Sequence, residues 1–311
     1  MTSSPTDMLA KPAPARGSRV PPSGRSPSRI PARRRRPLRP AQVVSRVLLG
    51  ALLVVQVYPL VWIFLTAVRD DADFASNGAF GLPQSFTLDN FARAFEQGDL
   101  GRNIFNSLVV TLGASALIVV CGMMGAYAIQ VLGFRGSKAV RLLFLVGIIV
   151  PVQVALVPLF VDYARIGLLD THLSMIIPLA GFSLPMSLYL FMSFFQYIPQ
   201  ELYDAASIDG AGPTAIFARI TLPMSVNTIV TVVMINSIFI WNDFVFGNTF
   251  VLSEELKTVP LGLQNYIGAM GKTDWTATFA AVCVTVTPLL LVFIVLNRAM
   301  MYGLESGATK G

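Results

Sequence analysis

Charge is scarce in this chain of 311 residues, with Asp, Glu, Lys and Arg making up 13%, about half the roughly 25% of an average soluble domain. One histidine and two cysteines are present. A single histidine excludes a His-rich metal site. Cys121 and Cys283 each lie inside an apolar run with no partner at metal-ligand spacing; both read as small buried hydrophobes, not as a disulfide or a reactive thiol. Motifs of intramembrane hydrolysis are missing too, with no Gly-x-Ser-x-Gly, no His-Glu-x-x-His and no paired intramembrane aspartates. Gly271-Lys272-Thr273 ends like a phosphate-binding loop, but Tyr266 stands where its first glycine is required and no strand precedes it. The chain is therefore expected to bind no nucleotide, cofactor or metal and not to be an enzyme.

What fills the sequence is apolar, 54% of it from the set AVILMFWYC with a mean hydropathy of +0.65. A water-soluble globular domain does not fit that composition. The net charge of +6 is a property of one end: residues 1–46 carry 11 Lys/Arg against the single acid Asp7. This segment, rich in Pro, Ser and Arg, cannot bury enough apolar surface to fold. It reads as a basic tail over 1–42 that orients the chain and is weakly drawn to anionic membrane lipid, not as a nucleic-acid arm.

Six segments are long and apolar enough to cross a bilayer, near 47–68, 107–130, 142–161, 173–195, 224–246 and 277–297. With the N-terminus inside, inner segments hold 17 Lys/Arg and outer ones 6. The positive-inside rule then puts both termini in the cytoplasm of a multi-pass cell-membrane protein. Pro59, Pro151, Pro158, Pro178, Pro185 and Pro288 interrupt the spans and predict kinks. Gly122-x-x-x-Ala126 and Cys121-x-x-x-Gly125 predict close helix contact in the second span. Span interiors lack the ionisable side chains of proton- or ion-coupled carriers; Asp243 is the main exception, while Asp162 and His172 read as solvated interfacial groups. The energy for any transport must come from elsewhere.

The specific motif lies between spans four and five. Pro199 opens a short helix, Asp209-Gly210 supplies a left-handed stop, and Pro213 begins a second helix carrying Ile216, Phe217 and Ile220 on one side. Asp204-Ala205-Ala206, Gly210, Ile220, Leu222 and Pro223 fill the pattern E-A-A-x-x-x-G-x(9)-I-x-L-P, with Asp for the first Glu. A chance match from average residue usage is roughly one in 10⁸ per start position. On these residues the chain resembles the inner-membrane permease subunits of ABC importers. Ile240-Trp241-Asn242-Asp243-Phe244, Phe86-Thr87-Leu88-Asp89-Asn90-Phe91 and the C-terminal Gly303-Leu304-Glu305-Ser306-Gly307 are similar to the carbohydrate, maltose-type subfamily.

The resemblance implies an all-α, six-helix permease of the type I importer fold. Its parts would be a first helix and external segment over 43–106, a transmembrane core over 107–297 with a cytoplasmic coupling helix at 199–223, and a cytoplasmic tail over 298–311. It implies ATPase coupling through Asp204, Ala205, Ala206, Gly210, Ile220, Leu222 and Pro223, and tail contact with the ATPase through Gly303, Leu304, Gly307 and Lys310. The expected partners are a homologous second permease, an ATPase dimer that uses ATP and Mg, and an external solute-binding protein delivering a sugar. Asn236, Trp241, Asn242 and Asp243 could line the sugar path, since amides and aromatic faces suit hydroxyl-rich rings; helix packing and interfacial anchoring is the competing role. A non-sugar solute such as glycerol phosphate, and a non-ABC carrier or channel, are the alternatives.

Overall fold

A computed structural model of the chain describes residues 40–268 and 273–308. The basic tail before Pro40, Gly271-Lys272 and Lys310 lie outside them. Secondary structure among the described residues is helical, apart from one isolated bridge between Ile267 and Thr273. The chain divides into two compact units, residues 1–53 and 54–311. In the first, the described residues belong to α1 (Pro40–Ala67), and every side chain from Val44 to Leu53 is exposed.

The second unit continues with α2 (Asp71–Asn77), α3 (Asp89–Gln97) and the long α4 (Leu100–Ala126), which runs on through a π-helical stretch at Tyr127–Leu132. Then come α5 (Ser137–Ile149), α6 (Val152–Ile166), α7 (His172–Phe195), α8 (Gln200–Ile208), α9 (Pro213–Ile216), α10 (Leu222–Met224) and α11 (Val226–Trp241). Short α12 (Val245–Phe250) and α13 (Val259–Gly262) lead to α14 (Trp275–Ala308). Four helical stretches, Val44–Ala67, Leu100–Leu132, His172–Phe195 and Trp275–Val295, are long and apolar enough to cross a membrane. Two bent pairs bring the count to six when each pair is one crossing.

The kink expected at Pro151 in the third span is present: α5 and α6 meet there at 97°. Pro151 offers no backbone N–H and holds the preceding residue out of the helical region, so Val150 is extended at φ −68°, ψ 119°. Pro59, Pro158, Pro178, Pro185 and Pro288 stay inside their helices. The fifth span stops at Trp241, short of 246, because the Asp243 carboxylate accepts from the Gly247 N–H at 3.2 Å and starts α12 instead.

Small residues set the central packing. A Cβ added at Gly122 would stand 3.2 Å from the Phe191 ring, and one at Gly125 would stand 3.0 Å from Leu188. With buried Ala114, Ile118 and Ala126 they let α4 lie directly against α7. Cys121, expected to be buried, is exposed, and Cys283 is half-buried. A helix that is apolar all round gives hydropathy no way to mark the inner face; the glycines and alanines mark it.

The loops at the end away from residues 196–225 are tied by side chain–backbone bonds. Fully buried Arg69 pairs with Asp73 at 3.3 Å and donates to the Gly78 carbonyl at 3.0 Å. Asn90 reaches the carbonyls of Ala67 and Arg69 at 2.8 and 2.7 Å. The Arg69 guanidinium holds the Asp73 carboxyl well below the usual carboxylate range, helped by the Gln84 N–H. Asp170, at φ 56°, accepts from the backbone N–H groups of Leu252 and Ser253, both at 2.9 Å.

His172 is another correction. It is half-buried, with Nε2 2.9 Å from Asn106 Oδ1, where simple solvation was expected. Asn106 Nδ2 already donates to the Glu255 and Lys257 carbonyls at 2.8 and 2.9 Å. Its oxygen must then accept, so His172 Nε2 carries the proton.

Candidate functional site

The hairpin between α7 and α11 gathers the seven residues singled out in its motif. Pro199 precedes α8 in extended conformation, and the helix stops at a left-handed Gly210 with φ +79°. The Gly210 N–H meets the Ser207 carbonyl at 3.1 Å and the Ala211 N–H meets the Ala206 carbonyl at 2.9 Å. That pair of bonds is the Schellman closure, which satisfies the last carbonyls of α8 and reverses the chain at once. Pro213 then occupies the first turn of α9, where its missing N–H is no loss.

The motif residues split between two faces. Asp204, Ala205, Gly210, Leu222 and Pro223 are exposed, whereas Ala206 and Ile220 are half-buried against the core. The Asp204 carboxylate takes one side-chain hydrogen bond, from Gln200 Nε2 at 3.2 Å, and otherwise points away from the chain. Behind Gly210 lies a groove of about 510 Å³ lined by Ala206, Ala211, Ile216, Arg219 and Ile220. The hairpin thus presents a short carboxylate-and-alanine face, backed by a rigid turn.

Two tyrosines that sequence reasoning passed over fasten this hairpin, Tyr127 to the spans and Tyr203 within the hairpin itself. Tyr127, at the end of α4, donates its hydroxyl to the Pro213 carbonyl at 2.9 Å and packs on Phe217 with ring centroids 5.2 Å apart. Buried Tyr203 lies 3.3 Å from the Thr221 hydroxyl. Burial pushes its phenol up from the ordinary value. The available signal was a tyrosine in an apolar setting, whose hydroxyl must find a partner when buried. From Thr221 the chain continues through α10 and turns at Ser225, where the arm 213–224 meets α11 at 71°.

Asn236, Trp241, Asn242 and Asp243 do not form one cluster. Asn236 is buried and donates to Ser187 Oγ at 3.0 Å and to the Val232 carbonyl at 2.8 Å. Trp241 is buried. Asn242 is exposed, with its amide on the Ile238 carbonyl at 2.8 Å, and Asp243 caps α12. Gly303, Leu304 and Gly307 fall in the continuous backbone of α14, which runs past the expected span end to Ala308.

The family of binding-protein-dependent transport system inner membrane components matches residues 118–301. The probable ABC transporter permease protein YurM of Bacillus subtilis is 32% identical over 83% of this chain and 85% of its own. The diacetylchitobiose uptake system permease protein NgcG of Streptomyces coelicolor is 30% identical over 86% and 88%. The trehalose transport system permease protein SugB of Mycobacterium tuberculosis is 31% identical over 81% and 92%. Among solved structures, a chain of a bacterial ABC transporter involved in alginate import shares the fold at TM-score 0.74 and 20% identity, over 82% of this chain and 95% of that one. With its four long apolar helices, its two bent apolar pairs and its Gly210-terminated hairpin, this chain belongs to the inner membrane components of binding-protein-dependent transport systems.

Proposed function

We propose that this chain is the permease subunit of an ATP-driven importer for a sugar or oligosaccharide. The single observation that carries the mechanism is the hairpin: a rigid helix, ended by left-handed Gly210 and displaying Asp204 and Ala205, joined to α11 through a 71° bend. The names of relatives devoted to diacetylchitobiose and trehalose support the solute class. An external binding protein delivers the sugar, and a pair of ATPase subunits closes on ATP and Mg. Asp204, Ala205, Ala206, Gly210, Ile220, Leu222 and Pro223 carry that closure into the spans of this chain and of a second, homologous permease. The tail at Gly303, Leu304, Gly307 and Lys310 reaches the ATPase pair. Both termini and the hairpin lie in the cytoplasm, in keeping with the distribution of basic residues. Asn236, Trp241, Asn242 and Asp243 belong to the wall of the sugar path.

Purification of the tagged chain from its native membrane, followed by reconstitution with its binding protein, tests this reading. The expected result is a co-purifying ATPase and ATP-dependent uptake of one member of a sugar panel. A preparation without ATPase, or active uptake confined to solutes that are not sugars, overturns it.

A further inference from the structure

Residues 78–88, between α2 and α3, contain no Asp, Glu, Lys or Arg, although Asp70, Asp71 and Asp73 precede them and Asp89 and Arg93 follow. Exposure alternates along this non-helical strip. Phe80, Leu82, Phe86 and Leu88 are 78, 79, 73 and 72% exposed, and Gly81, Pro83, Ser85 and Thr87 between them are half-buried. Gln84, the other outward residue of that run, turns its amide back to Asn77 Oδ1 at 3.4 Å. A loop bathed in water alternates the other way, with its polar side chains outward. Four large apolar side chains turned out within nine residues call for an apolar phase against them.

Contacts with two apolar helices fix the level of the strip. Trp62 donates its Nε1–H to the Ala79 carbonyl at 2.8 Å and stacks on Phe80 with ring centroids 5.7 Å apart. It also meets the Phe279 ring edge-on at 4.9 Å. Trp62 lies five residues before the end of α1 at Ala67, and Phe279 four residues after the start of α14 at Trp275. At 1.5 Å per residue, the tip at Ala79–Phe80 stands about 6–8 Å inside the ends of both helices. The return of the strip is shallower, since the Thr87 N–H meets the Val68 carbonyl at 2.8 Å, just beyond α1.

The backbone of the tip is bonded as that level requires. The Gly78 carbonyl accepts from Arg69 Nη1 at 3.0 Å and from the Gly81 N–H at 3.3 Å, and the Ala79 carbonyl accepts from Trp62. Solvent would serve these carbonyls in a water-exposed loop, whereas at the edge of hydrocarbon they need donors from the chain. A water-soluble partner docks above the helix ends; lipid is what surrounds apolar helices below them. We propose that residues 78–88 form a lipid-contact strip in the leaflet away from the hairpin, with Phe80 and Leu82 at the acyl level and Phe86 and Leu88 nearer the headgroups. Through Trp62 and Phe279 the strip holds α1 and α14 together at that boundary, whichever solute is carried.

The test uses the full chain, purified with the subunits that accompany it and placed in proteoliposomes, in a Cys121→Ala, Cys283→Ala background. Phe80→Cys, Leu82→Cys, Phe86→Cys and Leu88→Cys each carry a nitroxide spin label, and exposed Asp89→Cys serves as the water reference. Collisions with oxygen, which dissolves in lipid, are compared with collisions with a polar nickel chelate, and depth is calibrated with phospholipids labelled along the acyl chain. The oxygen-to-nickel ratio at positions 80 and 82 should exceed that at 89 roughly tenfold, because a polar complex leaves water poorly. Positions 86 and 88 should fall between. Ratios at 80 and 82 equal to that at 89 place the strip in water and overturn the proposal. Immobile labels that neither reagent reaches place it beneath another subunit, and overturn it as well. Four separate positions, all on outward side chains, keep the result independent of any one variant that assembles poorly.

Discussion

Gly210 is the residue at which the coupling reading is most exposed to refutation. It sits at φ +79°, and no atom lies within 4 Å of the position a Cβ would take. Contact therefore contributes nothing to the penalty of a substitution, and only backbone strain remains. An alanine held in the left-handed region costs about 1–2 kcal/mol, and a β-branched residue more. At about 1.4 kcal/mol per factor of ten, the population of the reversed hairpin falls roughly five- to thirtyfold for Gly210→Ala and further for Gly210→Val. Asparagine tolerates that region, so Gly210→Asn should recover most of the loss. The hairpin is exposed at this point, so all three variants should insert and purify normally. The assay is sugar uptake in proteoliposomes beside ATP turnover and retention of the ATPase. The expected order is wild type, Asn, Ala, Val, with uptake falling faster than ATP hydrolysis. Wild-type uptake and ATPase retention in Gly210→Val would show that the reversal is not what couples the two, and the reasoning would fail.

Other outcomes follow from the same geometry. Ala206→Glu places a charge on a half-buried face of α8 and should lower ATPase retention, whereas Asp204→Glu only lengthens an exposed carboxylate and should leave uptake unchanged. Ser207→Cys, in a background without Cys121 and Cys283, should resist a membrane-impermeant thiol reagent in intact cells; labelling there would invert the topology. Deleting residues 303–311 should leave assembly near normal and change the rate of ATP turnover, and an unaltered rate would remove the tail from the ATPase interface. The Asp73 carboxyl titrates below its unfolded value because of Arg69, so its stabilisation is fully present above about pH 4 and is lost as pH falls through the lowered folded value. Thermal unfolding of wild type should therefore lose stability on acidification in a way that Asp73→Asn does not.

Helix existence was legible in the sequence because a membrane span is set by length and hydropathy alone, and all six expected segments fall on apolar helices or bent pairs. The turn at Gly210 was legible for a different reason: Asp-Gly before a proline-initiated helix admits few backbone solutions, and the Schellman bonds are the one observed. What hydropathy does not encode is direction around a helix axis, which is why Cys121 was placed inside and stands outside. Nor does it encode partners distant in the chain. His172 and Asn106 are 66 residues apart, and Tyr127 and the Pro213 carbonyl 86. The bend in the third span was legible for a local reason: Pro151, at its midpoint, holds Val150 extended, so α5 ends there and α6 starts anew.

The unequal bonding of the two ends follows from the same polar groups and bears on how force crosses the chain. At one end Asp170 takes two backbone N–H groups, Asn106 holds two carbonyls, Ser107 accepts from the Val259 N–H at 2.9 Å, and Tyr266 donates to the Ala94 carbonyl at 2.7 Å. Those bonds fasten segments more than 80 residues apart, and breaking those of buried Asn106, Ser107 or Tyr266 would leave a buried polar group without its partner. At the other end the hairpin is fastened by Tyr127, the Tyr203–Thr221 contact and the apolar side of α9. If α8 is the coupling element proposed above, a push on it should be taken up at the joints around Pro199 and Ser225, with the cross-tied end as the fulcrum. Tyr127→Phe and Tyr203→Phe each remove one fastening while keeping the ring in place. Under this division of stiffness they loosen the transmission of ATP closure to α11 without unfolding the bundle, whereas loss of Asn106 would unsettle the fulcrum itself.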